Sequence, residues 1–293
     1  MKVGFIGLGR MGSGMASRIL SGGHELAVFD AVAAQMSALA SAGARSVSSV
    51  AEVCVGRDVV VTMLVEDATV IDVTLGQGGI CDSLPSGSIH LVMGTHGVAT
   101  VRALEARHVS SGQYLVAAPV LGRPDLAASG QLGIVAAGDQ AATGRVQPLL
   151  SVMGRRTFLA GSKPESATAI KLANNAVLGC AMVAMAEGFA LVRKYGVVPQ
   201  VFQDVMTEGL FSAPAYKVYG QKMVDESFDQ VGSPIHVGLK DANLITAAAD
   251  LARVPMPSHN VYRDRLLGAV AHGDGDRDQA VLAREQARAS GLA

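Results

Sequence analysis

The chain has no tryptophan and few other aromatics, 4% of 293 residues, so its 49% apolar content is carried by aliphatic side chains and methionine. That is enough apolar material for a large core. Charge is also sparse, at 17%, and nearly balanced at a formal −1. This gives no electrostatic reason to expect nucleic acid or an anionic membrane as a partner. Only three cysteines are present, Cys54, Cys81 and Cys180, with no C-x-x-C among them. They read as reduced, buried thiols of a cytoplasmic protein and exclude a disulfide frame or a cysteine-based zinc site. The seven histidines show no H-x-x-x-H or H-E-x-x-H spacing, so no metal site is expected. Met1 and Lys2 lead straight into an apolar strand, without the pattern of a signal peptide. The longest uncharged run worth testing as a membrane span, Leu172 to Ala186, falls short of the roughly 20 residues required and contains Asn174 and Asn175. It reads as a buried helix of a soluble protein.

Glycine, by contrast, is plentiful, with 34 residues. Three of them, Gly7, Gly9 and Gly12, form G-x-G-x-x-G directly after the apolar run Lys2 to Ile6. A helical stretch follows, with Met11, Met15 and Ile19 on one face, and Glu25 to Phe29 returns as a second strand ending at Asp30. In such a strand–turn–helix the first glycine permits the sharp turn. The second lets a pyrophosphate approach the backbone, and the third allows helix and strand to pack closely. The unpaired amides at the helix start favour the diphosphate. An acid about 20 residues on, here Asp30, accepts from the adenosine ribose hydroxyls and repels a 2′-phosphate. No arginine follows it closely, so the expected cofactor is NAD, with NADP the alternative.

Beyond Asp30, helical and β-branched segments alternate. Val59 to Leu64, Ser88 to Met93, Tyr114 to Ala117, Ile134 to Ala137 and Thr157 to Ala160 read as strands, with helices between them. This predicts right-handed crossovers and a parallel, doubly wound sheet. Composition changes near Gly161, and no convincing strand follows. A helix from about Glu165 to Tyr195 is apolar nearly all round, which predicts burial on every side and contact with a second subunit. Further helices are expected after Pro199 and over about 216–225, 236–252, 259–271 and 278–290. The expected organisation is a dinucleotide-binding domain over 1–161 and an all-helical substrate and dimerisation domain over 162–293, entered by the long helix.

On that helix Lys171, Asn174, Asn175 and Leu178 share one face. A lysine and two amides on an otherwise apolar helix are either a helix-start lysine reaching solvent beside structural asparagines, or a site. In the second reading they face a cleft beside the nucleotide domain, where the lysine handles a proton and the amide fixes a substrate oxygen. Desolvation would then bring the lysine toward the working pH.

With these motifs in place the chain resembles the β-hydroxyacid dehydrogenases, which include 3-hydroxyisobutyrate dehydrogenase and the tartronate and succinic semialdehyde reductases. GFIGLGRMG resembles their nucleotide loop, AAPVLGRPDLAASGQL (Ala117 to Leu132) their substrate loop, and KLANN (Lys171 to Asn175) their K-x-x-N-N. LKDANL (Leu239 to Leu244) and GDGDRDQA (Gly273 to Ala280) are similar to their later motifs, in the family's order. The resemblance implies a Rossmann-type N-terminal sheet followed by an all-α C-terminal domain, and hydride transfer between a nicotinamide and a small β-hydroxy acid or its aldehyde acid. It implies Lys171 as general acid/base and Asn175 as substrate holder. Gly7, Gly9, Arg10, Met11, Gly12, Asp30, Leu64, Thr95 and Lys240 would lie on the cofactor, with Asp241 orienting Lys240.

Two departures stand out. Leu121, Gly122 and Arg123 occupy the place of the family's Ser-Gly-Gly, and Gly94 precedes Thr95 where the family commonly has Ser-Thr. With Thr95, these are the substrate-loop candidates. Arg123 is either a bidentate partner for a substrate carboxylate or a surface arginine, and His96 either points into the cleft or has no role. The Gly-Thr pair also resembles imine reductases, which usually carry aspartate or tyrosine where this chain has Lys171. A C=N reductase and a non-catalytic NAD-binding module are therefore the alternatives to a homo-oligomeric dehydrogenase of a small carboxylic acid.

Overall fold

Lys2–Ile6 (β1) is apolar on both faces because it lies inside a sheet covered on both sides, and Val3 and Phe5 are fully buried. The computed structural model describes residues 1–292. Two compact units are present, Met1–Lys171 and Leu172–Ala293. In the first unit β1 is followed by Glu25–Phe29 (β2), Arg45–Ser46 (β3), Val59–Thr62 (β4), Ile89–Val92 (β5), Tyr114–Ala117 (β6), Val120–Leu121 (β7), Leu132–Gly138 (β8) and Gly154–Leu159 (β9). The strand order is β3-β2-β1-β4-β5-β6-β8-β7, with β9 paired to β8. From β3 to β6 every pairing is parallel. The chain runs outward one way from β1 to β3 and then crosses back to β4, so β1 and β4 flank the point where strand order reverses. In such sheets the crevice at the carboxyl ends beside that point is where ligands bind.

The expectation of an all-parallel sheet needs correction. β8 runs antiparallel to both β6 and β7. Only β7 and the five-residue helix Pro124–Ala128 separate β6 from β8. That is too little chain to cover a sheet face with a crossover helix, so the backbone folds back instead. The sheet is therefore mixed, within the expected doubly wound architecture.

A polar chain crosses the apolar interior of this unit. Gln113 Nε2 donates to the carbonyls of Cys81 (3.1 Å) and Leu84 (2.6 Å), which leaves its Oε1 to accept. His108 Nδ1 must therefore donate to it, at 2.7 Å. His108 Nε2 then accepts from His90 Nδ1 at 2.8 Å, and His90 Nε2 accepts from the Thr62 hydroxyl at 2.9 Å. One amide thus sets the tautomer of both buried imidazoles.

The second unit is helical: the greater part of Pro164–Lys194, then Pro199–Glu208, Pro214–Val224, Ile235–Ala252, Pro257–Ala271 and Leu282–Ala289. Proline at the first position starts several of these helices, where its missing N–H costs nothing. Met182, Met185, Met206 and Met223 pack with Phe189, Phe228, Tyr262 and Leu266 in one core. Asp278, the last of the three acids of the GDGDRD segment, is fully buried. It accepts from the Gly232 amide at 2.7 Å and the Ala280 amide at 3.1 Å, and pairs with Lys222 Nζ at 2.8 Å. Asp278→Asn keeps the shape but strands the Lys222 charge. The expected loss is about 3–5 kcal/mol of stability, read from urea unfolding; a midpoint unchanged from wild type refutes it.

Within the single chain the long helix Pro164–Lys194 is not covered on every side. Val177 is 71% and Leu191 60% exposed, because an apolar composition shows what a helix can bury and not what covers it. Among the described residues it is the one helix long and apolar enough, by length and composition alone, to cross a membrane.

Candidate active site

Gly7 has φ +93°, and a Cβ there would lie 2.5 Å from the Met63 carbonyl oxygen. A Cβ on Gly12 would lie 1.9 Å from the carbonyl oxygen of Gly7, so any side chain at 12 breaks the turn. Position 9 differs: nothing stands within 4 Å of a Cβ built on it. Two glycines are thus required by the protein's own packing, and the middle one leaves open space. The helix Gly12–Ser21 that follows has no side-chain cap at Met11 and no acid in its first turn. Uncapped amides beside an open glycine fit the diphosphate of a dinucleotide.

Asp30 lies beside this loop and also builds it. Its Oδ2 accepts from the Leu8 amide at 2.6 Å and its Oδ1 from the Val32 amide at 2.8 Å. Each oxygen keeps a second lone pair for a donor such as a ribose hydroxyl. Arg10 is exposed at the tip of the turn, and Met11 packs against the first unit's core.

Leu64 leaves β4, and Gly94, Thr95 and His96 leave β5, at the carboxyl edge of the sheet. A Cβ on Gly7 would lie 2.9 Å from Leu64 Cδ2, which places Leu64 against the glycine turn. His96 is buried, 1% exposed, with Nδ1 2.9 Å from Asp67 Oδ1. Asp67 also accepts from the Thr100 hydroxyl at 2.6 Å and the Gly97 amide at 3.1 Å. Burial alone would push the Asp67 carboxyl up; its hydrogen-bonding and electrostatic interactions with His96, and the bonds from Thr100 and Gly97, outweigh it and hold the group below its ordinary value. Sequence reasoning missed Asp67, since an acid at a helix start needs no further account. It had no signal for a partner 29 residues away.

In the substrate-loop segment, Gly122 has a positive φ, and a Cβ there would lie 2.7 Å from Leu132 Cδ2. Close packing explains this glycine. Arg123 faces Asp125 with both separations at 3.4 Å, and its hydrogen bonds hold the Asp125 carboxyl below the usual range. Leu121 is half-buried in β7. Lys171, also half-buried, donates from Nζ to the Val120 carbonyl at 2.8 Å, which brings the amine to the β7 backbone.

Within the second unit Asn175 Nδ2 donates to Asp241 Oδ2 at 2.8 Å, and Lys240 Nζ pairs with Asp241 Oδ1 at 2.8 Å. Asp241 therefore orients both candidates, where the resemblance implied only Lys240. Asn174 is exposed, and His236 stands at the surface 3.8 Å from Asp276. The cysteines are free, and burial pushes the Cys54 thiol up to about 12 and Cys81 to about 11, so neither is an activated nucleophile. Cys180 is only partly buried.

Residues 2–161 match the family model described as the NAD binding domain of 6-phosphogluconate dehydrogenase. Residues 166–285 match the one described as NAD-binding of NADP-dependent 3-hydroxyisobutyrate dehydrogenase. Oxidoreductase YfjR of Bacillus subtilis is 34% identical over 282 residues, covering 96% of this chain and 98% of its own. NAD-dependent L-serine dehydrogenase of Pseudomonas aeruginosa is 31% identical over 290 residues, 96% of each chain. The solved structure of Mycobacterium tuberculosis 3-hydroxyisobutyrate dehydrogenase with L-serine superposes with a TM-score of 0.88 at 25% identity, covering 97% of this chain and 98% of that one.

Proposed function

This chain belongs to the β-hydroxyacid dehydrogenase family, and from that premise we propose that it interconverts a small β-hydroxy acid and its aldehyde acid, with Lys171 as general acid/base. The observation that carries this reading is the amine of Lys171 held at 2.8 Å by the Val120 carbonyl. That bond fixes the amine beside Leu121 of the substrate-loop segment, where a proton donor and acceptor for a substrate hydroxyl or carbonyl is needed in this reading. In this reading Asn175, pinned by Asp241, is the substrate holder, Lys240 is a cofactor contact, and Leu64 and Thr95 lie along the nucleotide. Position 9 and the neighbouring amides take the diphosphate. The bound nicotinamide would supply or accept the hydride.

The relatives named for L-serine dehydrogenase and 3-hydroxyisobutyrate dehydrogenase act on small hydroxy acids by their names, which supports the substrate class. Screening hydroxy acids, aldehyde acids and cyclic imines with both nicotinamide nucleotides tests it. Turnover confined to imines, or nucleotide binding without any turnover, overturns it.

NAD is the favoured nucleotide in this reading, because Asp30 sits where a 2′-phosphate would meet its carboxylate. Asp30→Ala is expected to relax discrimination against NADP by about tenfold, or about 1.4 kcal/mol, in paired KM measurements. A wild-type preference for NADP sinks the argument. The enzyme would act in the cytoplasm, consistent with its unpaired thiols, and as an oligomer. Val177, Leu191, Val201, Val205 and Leu210 expose apolar surface on the helical unit that a second copy would cover. Sedimentation is expected to show a dimer or larger; a monomer at micromolar concentration refutes this.

A further inference from the structure

The loops leaving β4 and β5 hold one polar atom whose state the structure leaves unexplained. Asp67 takes four donor contacts, from His96 Nδ1, the Thr100 hydroxyl and the Gly97 amide, which reaches both oxygens. A carboxylate only accepts, so the imidazole must present its N–H at Nδ1, and the neutral ring then carries a lone pair at Nε2. Nε2 is buried and has no hydrogen-bond partner among the described residues. Buried acceptors are normally satisfied, and among the buried side-chain atoms left without a partner this one stands in the loops after β4 and β5, so it calls for a donor from outside the chain.

The surroundings say which donor. The ring folds back over Gly94: a Cβ on that glycine would lie 2.5 Å from Nε2 and 2.4 Å from the Leu64 carbonyl oxygen. Nε2 thus stands between the two loops that carry Leu64 and Thr95, at the carboxyl edge beside the reversal of strand order. Asp67 ties these loops together, since it starts the helix Asp67–Leu75 after β4 and binds His96, Gly97 and Thr100 after β5. On the reading that the nicotinamide lies along Leu64 and Thr95, its ring brings one N–H donor group, the carboxamide.

We propose that His96, held by Asp67, is a cofactor-positioning residue whose Nε2 accepts a hydrogen bond from the nicotinamide carboxamide. It does not move a proton in the reaction; it fixes the rotation of the carboxamide and so of the ring. The inference rests on the dinucleotide reading of the site, and the test separates the two.

The probes are NAD, its 3-acetylpyridine analogue, in which a methyl ketone replaces the amide and removes the donor, and ADP-ribose, which lacks the nicotinamide. Dissociation constants are measured by calorimetry for the wild type and for His96→Asn. Asparagine retains an amide N–H for Asp67 while deleting the Nε2 acceptor. The wild type is expected to bind NAD about tenfold more tightly than the analogue, as one net hydrogen bond of about a factor of ten implies. His96→Asn should bring the two within about twofold and leave ADP-ribose unaffected. An unchanged NAD-to-analogue ratio in the variant overturns the proposal, whether a trapped water or a ribose hydroxyl is then the partner of Nε2. Failure of the wild type to bind ADP-ribose overturns the dinucleotide reading itself. Should the variant not fold, nitrogen-15 spectra of the wild-type imidazoles decide: Nε2 of His96 must shift with NAD and stay in place with the analogue.

Discussion

Lys171→Ala is expected to bind NAD as the wild type does and to turn over its best substrate about 10²–10⁴-fold more slowly, the usual worth of a positioned acid/base. Alanine suits a helix interior, so the Pro164–Lys194 helix should survive. The lost hydrogen bond to the Val120 carbonyl removes a tether from the β7 segment, and it leaves the glycine turn and Asp30 untouched. Measured kcat should fall with little change in nucleotide affinity. A variant within tenfold of wild-type kcat would show that the proton moves by another route, and loss of NAD binding would show that Lys171 supports the fold instead.

A second large effect is expected on stability, and it is an acid one. Burial, with repulsion from His108 and His96, holds His90 well below its ordinary value. Burial also lowers His108 to about 4, against the opposing hydrogen bond to Gln113, with the charge of Arg107 adding to the lowering. The groups facing the pair are Thr62, Cys81, Gln113 and each other. In the unfolded chain both imidazoles take up protons near pH 6.5, whereas the folded chain excludes them until far lower. The unfolded state therefore binds more protons over that interval, and stability must fall as pH drops below 6.5. At pH 5 the expected loss is about 2 kcal/mol from His108, with His90 adding to it in the same direction. Protonating His108 would also set its new Nε2–H against the Nδ1–H of His90, so the two should fail together. The carboxyl of Asp67 is lowered by its partners, so its contribution is lost only below about pH 4 and does not confuse the window. Denaturant unfolding at pH 7, 6 and 5 measures this, and a stability flat over that range contradicts it.

How far the chain could be read without coordinates depended on the range of the interaction concerned. The glycine turn was legible because φ and the space at Gly7, Gly9 and Gly12 are set by neighbours a few residues away. The helices from Pro164 onward were legible for the same reason, in their proline starts and apolar periodicity. Lys171 and Asn175 stood out because polar side chains on an apolar helix are conspicuous at short range. The direction of β8 was not legible, since a β-branched run says nothing about which way its neighbour points. What covers the exposed apolar face of the long helix was not legible, because its composition carries no information about what packs on it.

By itself the sequence determined the doubly wound first half, the helical second half, the nucleotide turn and the lysine that stands in the candidate site. Only the tertiary structure decided that Asp30 caps the loop it follows, that Asp241 orients Asn175, and that His96 answers to Asp67 while His90 answers to His108. These pairs join residues tens of positions apart on different elements. Their existence depends on strand order and on which faces meet, which no local pattern encodes.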